Sequence, residues 1–215
     1  MLKKKFGIAQ NIRDFVVVFT GTGIGTGVFI DNKLFSGNKG IAGEVGHIIT
    51  DFDSNKLCHC GNYGCLETLC SSRALIDNIK EDLRKGEKSS LKENREFDFN
   101  YLADLFKKND PLVVKHVTEN ARLLGIGISN IIKMFSPEIV VIHGKFLAFG
   151  EKYLTVLKEA VYKSTFSKVE NDYNIQFTKL PEEAGLIGTS VFAFEKIFKL
   201  DNLNISDEYM VRKDF

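Results

Sequence analysis

The 215 residues are 44 % hydrophobic, enough to bury a sizeable core in one large domain. A net charge of +1 provides no basic field of the kind that marks a nucleic-acid surface. The opening MLKKKFGIAQ lacks the apolar core of a secretory signal, and no stretch is long and apolar enough to cross a membrane, so the expected compartment is a reducing cytoplasm.

In chain order, the β-branched run FVVVFT at 15–20 predicts a buried strand, broken by Gly21, Gly23, Gly25 and Gly27. VFI at 28–30 predicts a second strand, and Asp31-Asn32 a turn into Lys33, Leu34 and Phe35, so hairpins are expected. The glycines of GTGIGTG allow close backbone approach to an anion, which makes a phosphate cradle possible; a plain hairpin turn accounts for them equally well. Further on, SSRALIDNIKEDLRK sets Leu75, Ile76, Ile79 and Leu83 on one helix face, capped by Ser71 or Ser72 and ended by Gly86. Residues 86–98 are polar and predict an exposed loop, and YLADLFKK a short helix.

Asp110-Pro111 is a helix start, with Asp at the cap and Pro in the first turn, and the apolar stripe beyond it runs towards Phe135. Gly125 and Gly127 inside that helix each cost about 1 kcal/mol relative to alanine, which predicts a close packing neighbour. Ser136-Pro137 stops it. EIVVIH at 138–143 predicts a strand covered on both faces, followed by an amphipathic helix at 151–164, a strand at 174–180 and a last helix at 182–198. Strand, helix, strand at these lengths is a βαβ unit with parallel strands. The tail from Asp201 is polar.

The densest chemistry lies in EVGHIITDFDSNKLCHCGNYGCLE at 44–67. His47, Cys58, Cys60 and Cys65 make up the Cys3His set that structural zinc prefers, leaving no coordination position for water, while Gly61 and Gly64 let the chain turn tightly between the sulfurs. Such a site orders backbone, and it would fix the distance between Glu44, three residues before its histidine, and Glu67, two residues after its last cysteine. Cys70 falls outside the set and reads as a buried thiol on the following helix.

GEVGH at 43–47 followed by CHCGNYGCLET at 58–68 resembles the paired signature of the ROK family, the bacterial sugar kinases and sugar-responsive repressors. The resemblance extends from about Asn11 to Phe198 and takes in GTGIGTGVFIDNKLFSG and SPEIVVIHG. It implies an α/β fold: the C-terminal lobe of the actin-like, ribonuclease-H-like ATPase architecture over residues 1–200, with a mixed sheet flanked by helices, a zinc loop at 47–65 and a polar tail at 201–215. It also implies that His47 binds Zn2+ and faces a sugar, that Glu44 and Glu67 bond hydroxyls of a hexose or N-acetylhexosamine, and that the protein assembles as a homodimer or homotetramer.

Kinases of the family carry a DxGGT-type phosphate loop and an Asn-Asp pair ahead of the strand that here starts at Phe15; this sequence has neither, so the general base for phosphoryl transfer is missing. The chain is therefore expected to be a lobe without kinase activity. Where the kinases end the 139–143 strand in a GlyGlyGly-type turn against the nucleotide, this chain has His143, Gly144 and Lys145, which should crowd adenine or ribose. That favours a sugar-responsive regulator whose DNA contact would lie in a missing N-terminal helix-turn-helix. The alternative is a sugar kinase lobe using ATP and Mg2+, with Gly21, Thr22, Gly23 and Gly25 at the phosphates, although Thr26 stands where those kinases usually have glycine. A zinc-stabilised dimerisation module without ligand is the third reading, and Glu44 and Glu67 argue against it, because a structural zinc site needs no carboxylates there.

Overall fold

The computed structural model describes residues 8–9, 11–91, 97–166 and 173–180. The chain divides into two compact units, Asn11–Lys179 and the two ends taken together, and every described element lies in the first. The helix expected at 182–198 and the polar tail lie outside the described residues.

Five strands form one sheet in the order β3-β2-β1-β4-β5. β1 (Phe15–Thr20), β2 (Ile24–Ile30) and β3 (Lys33–Leu34) are antiparallel neighbours, whereas β4 (Ile139–Gly144) lies parallel to β1 and β5 (Ile175–Phe177) parallel to β4. This is the mixed sheet expected, with two differences. β2 starts at Ile24, so Gly25 and Gly27 lie within the ladder opposite Phe19 and Val17; the hydrogen bonds are made by the backbone, which glycine supplies as well as any residue. β5 holds only three residues, fewer than the seven-residue run 174–180 suggests. Alternation divides the buried residues of β1 and β4: Val16, Val18, Val140 and Ile142 join the helical core, and Phe15, Val17, Ile139 and Val141 are buried on the opposite face.

Five α-helices accompany the sheet among the described residues: α1 (Leu66–Cys70), α2 (Ser72–Arg84), α3 (Phe99–Lys107), α4 (Pro111–Phe135) and α5 (Gly150–Ser164). Their starts follow the capping chemistry. Ser71 Oγ accepts from the Ala74 amide, Asp98 from the amides of Asn100 and Tyr101, and Asp110 from that of Val113. α4 ends at Ser136 in a left-handed conformation (φ 43°). Its glycines have the packing role expected: a Cβ at Gly125 would stand 2.6 Å from the Leu157 carbonyl of α5, and one at Gly127 would stand 2.5 Å from Leu66 of α1.

Asp110 does more than cap. Its carboxylate also accepts from the Ser89 hydroxyl at 2.9 Å and the Ser90 amide at 2.6 Å, tying the segment after α2 to the start of α4. Burial raises its pKa, but these amide and hydroxyl donors prevail and hold it below the usual aspartate value. A carboxyl with a lowered folded pKa stabilises fully above its unfolded value, about pH 4, and that contribution is lost as pH falls through the folded value. Asp110→Ala should cost about 1–2 kcal/mol in urea unfolding at pH 7. The deficit should shrink as the two proteins are compared at progressively more acidic pH.

Candidate functional site

The window 44–67 forms a compact loop after β3 that runs into the first turn of α1. Antiparallel bridges pair Ile49 with Cys65 and Leu57 with Tyr63, and backbone bonds run from Cys58 N to Asn62 O (2.8 Å), Thr50 N to Gly64 O (2.9 Å) and Leu66 N to Ile48 O (2.9 Å). Gly64 is required twice over: its φ is +69°, and a Cβ there would fall 1.8 Å from the Asp51 carbonyl oxygen. The loop thus doubles back and brings its cysteines together.

The ligand atoms of His47, Cys58, Cys60 and Cys65 all lie within 4.8 Å of one another. Cys58 Sγ is 3.4 Å from His47 Nδ1 and Cys60 Sγ is 3.6 Å from Cys65 Sγ. Zinc–sulfur bonds of about 2.3 Å and zinc–nitrogen bonds of about 2.0 Å at tetrahedral angles need edges of roughly 3.5–3.8 Å, which these two separations approach, so the donor set is consistent with zinc. No disulfide joins the four cysteines, and the Cys60 and Cys65 sulfurs stand 3.6 Å apart, against about 2.05 Å in a disulfide bond. Burial pushes the Cys58 thiol up to about 12, with the nearby Glu67 side chain adding to the rise, and burial raises Cys65 too; the Asn62 amide pulls Cys60 down. Cys70 is the buried thiol expected, at the end of α1 with Sγ 3.4 Å from the Leu66 carbonyl.

His47 lies between the two glutamates. Its Nδ1, on the cysteine side, is 3.7 Å from Glu67 Oε1, and its Nε2 is 3.8 Å from Glu44 Oε2. Glu44 is exposed, whereas Glu67 is largely buried on α1. α1 itself is pinned by Asn120 of α4, whose amide donates to the Cys70 carbonyl while its oxygen accepts from the hydroxyl of Tyr153, both at 2.8 Å. Thr26 Oγ1 donates to the Gly43 carbonyl, fastening β2 to the backbone just before Glu44.

The proposed phosphate residues occupy two places. Gly21, Thr22 and Gly23 form the β1–β2 turn, with the Gly21 amide bonded to the Gly23 carbonyl at 3.0 Å, while Gly25 is in β2 opposite Phe19. Gly23 abuts Glu67, since a Cβ there would sit 2.6 Å from Glu67 Oε2. Thr22, Gly23, Cys58, His59 and Glu67 line a pocket of about 620 Å³ that continues along α2 past Arg73 and Asp77. At the end of β4, His143, expected to crowd a nucleotide, is buried edge-on to Phe19, whereas Lys145 is exposed.

One residue escaped the sequence pattern. His59, between two cysteines, has Nδ1 2.9 Å from Glu67 Oε1 and its ring edge-on to His47, with centroids 4.9 Å apart. Periodicity carries no trace of it; only its place in the metal-ligand spacing could have drawn notice.

The comparisons agree with this architecture. The xylose repressor of Caldicellulosiruptor bescii is 34 % identical over 189 residues, 86 % of this chain and 47 % of the repressor. A ROK family transcriptional regulator homologous to the Escherichia coli MLC protein superposes with a TM-score of 0.79 at 28 % identity, over 88 % of this chain and 48 % of that one. A ROK family glucokinase from Streptomyces griseus, solved with glucose and AMPPNP, also gives 0.79, at 26 % identity over 88 % of this chain and 63 % of the kinase. The chain spans about half the length of the xylose repressors it matches. The ROK family model matches residues 3–196, and the chain belongs to that family.

Proposed function

We propose that this chain is the sugar-binding, zinc-organised lobe of a transcriptional regulator of carbohydrate use, acting in the cytoplasm and reaching DNA through a separate domain. The observation that carries the reading is the arrangement of Glu44 and Glu67 about the two nitrogens of His47, with Nδ1 towards the cysteines. Two carboxylates and an imidazole nitrogen accept from and donate to vicinal hydroxyls of a hexose or N-acetylhexosamine. His47, Cys58, Cys60 and Cys65 would hold the zinc, which supplies a fixed cross-link and no open position for catalysis. Glu67 is then anchored at its base by α1 and Asn120, and Glu44 by the Thr26 bond to Gly43. No helix among the described residues is long and apolar enough to cross a membrane.

Sugar would act by differential affinity for two arrangements of this lobe and the rest of the protein, and the DNA-binding equilibrium follows. In the full-length protein, operator binding measured by fluorescence anisotropy should change at least about tenfold with one of xylose, glucose or N-acetylglucosamine, which corresponds to a coupling of about 1.4 kcal/mol. ATP should not be hydrolysed when that sugar is present. Measurable sugar phosphorylation would instead establish the kinase reading, which the likeness to the glucokinase favours; ATP and Mg2+ would then be cofactors. Light scattering should give a homodimer or homotetramer.

A further inference from the structure

We infer that the ligand is larger than one sugar: the pocket beside Glu67 takes a di- or oligosaccharide whose second ring lies against α2, and this rests on the sugar-site reading above. The wall that includes Glu67 continues onto α2, where Arg73, Asp77 and Glu81 follow one another at four-residue spacing and share one face. At a rise of 1.5 Å per residue that face is about 12 Å long. Built from carbon–carbon bonds of about 1.5 Å, a pyranose ring with its hydroxyls spans roughly 5–6 Å, so α2 alone provides length for a further ring. The whole pocket, about 620 Å³, falls within the roughly 300–1,000 Å³ that drug-sized ligands fill. A single hexose would leave much of it to water.

The chemistry of the wall selects among ligands of that size. Carboxylates of Glu67, Asp77 and Glu81 outnumber the cations of Lys56 and Arg73, so no positive field forms for a phosphate or a nucleotide. Lys56 Nζ donates to Asn78 Oδ1 at 2.7 Å, which turns the Asn78 amide nitrogen to other acceptors. Donors and acceptors thus alternate along the wall. A neutral polyol, in which every hydroxyl both donates and accepts, matches that alternation. Leu57 lines the same pocket and is 63 % exposed, offering apolar surface to the C–H face of a ring. A solvated helix face is the bland reading, since Arg73, Asp77 and Glu81 are exposed. Against it, the bond from Lys56 to Asn78 joins the loop to the helix, and residues of both enclose one cavity.

The test uses the full-length, zinc-loaded protein. Calorimetry should compare xylose with xylobiose, glucose with maltose and cellobiose, and N-acetylglucosamine with N,N′-diacetylchitobiose. At least one disaccharide should bind about tenfold or more tightly than its own monosaccharide. Arg73→Ala combined with Asp77→Ala, both at exposed positions, should bring that disaccharide down to the monosaccharide's affinity and leave the monosaccharide unchanged. Glu67→Ala should weaken both. Disaccharides that bind no tighter than their monosaccharides, a double variant that weakens both kinds of sugar alike, or glucose 6-phosphate binding more tightly than every disaccharide would each overturn the inference. If Glu67→Ala leaves the affinity of every sugar unchanged, the sugar-site reading fails; if it weakens the monosaccharide and no disaccharide gains, the larger ligand alone is refuted.

Discussion

Cys65→Ser should abolish stoichiometric zinc and lower stability by several kcal/mol, the largest effect expected of any single substitution in the chain. Zinc capture by a preorganised Cys3His set is worth on the order of 10 kcal/mol, and a serine hydroxyl is a poor replacement for a thiolate. The position magnifies the loss. Cys65 is fully buried, it pairs with Ile49, and the next residue donates its amide to Ile48, so the ligand is built into the strand-like bridge that leads into α1. Releasing it loosens the base on which Glu67 stands. Elemental analysis should find about one zinc per chain in the parent protein and far less in the variant, and a strong chelator should bring the parent's unfolding midpoint close to the variant's. Cys70→Ser is the control: Cys70 lies among the apolar core and outside the ligand set, so zinc content should not move. A parent protein that unfolds identically with and without chelator would refute the metal reading.

Legibility from sequence followed the range of the interactions. Caps at Ser71, Asp98 and Asp110 are decided within three residues; Asp110 could be named from the sequence alone, and Ser71 as one of two candidates with Ser72. The role of Gly125 and Gly127 was legible for a different reason: glycine in a helix interior is costly, and a close neighbour compensates. α1 was not legible as a separate helix. It has five residues, too few to nucleate alone, and is held by packing of Leu66 on Gly127 and by the Asn120 bond to Cys70. The extension of β2 through Gly25 and Gly27 was hidden because glycine reads as a break, while the ladder to β1 depends only on main-chain groups. At the site, the four side chains that lie within 4.8 Å of one another could be named together because their spacing carries the chemistry. The burial of His143 and the approach of His59 to Glu67 could not, since both depend on contacts between side chains that the linear pattern does not record.

His47→Ala should remove zinc and sugar binding together, whereas Glu44→Ala and Glu67→Ala should lose sugar alone. The distinction follows from which nitrogen faces what. Nδ1 is 3.4 Å from Cys58 Sγ, within the candidate metal set, and Nε2 is turned to Glu44, so on the proposed reading one ring would serve both functions and its deletion would not separate them. Each glutamate, by contrast, lies outside the Cys3His set. A charged hydrogen bond to a ligand hydroxyl is worth about 1.5–3 kcal/mol, so each glutamate variant should bind sugar roughly ten- to a hundredfold more weakly in calorimetry. Glu67→Ala should be the more damaging of the two. Its carboxylate is held in a largely buried position and loses little freedom on binding, while exposed Glu44 must be ordered and is better screened. Zinc retained in both glutamate variants but sugar affinity unchanged would show that the carboxylates face no ligand. The site would then be a structural zinc cross-link with no sugar function.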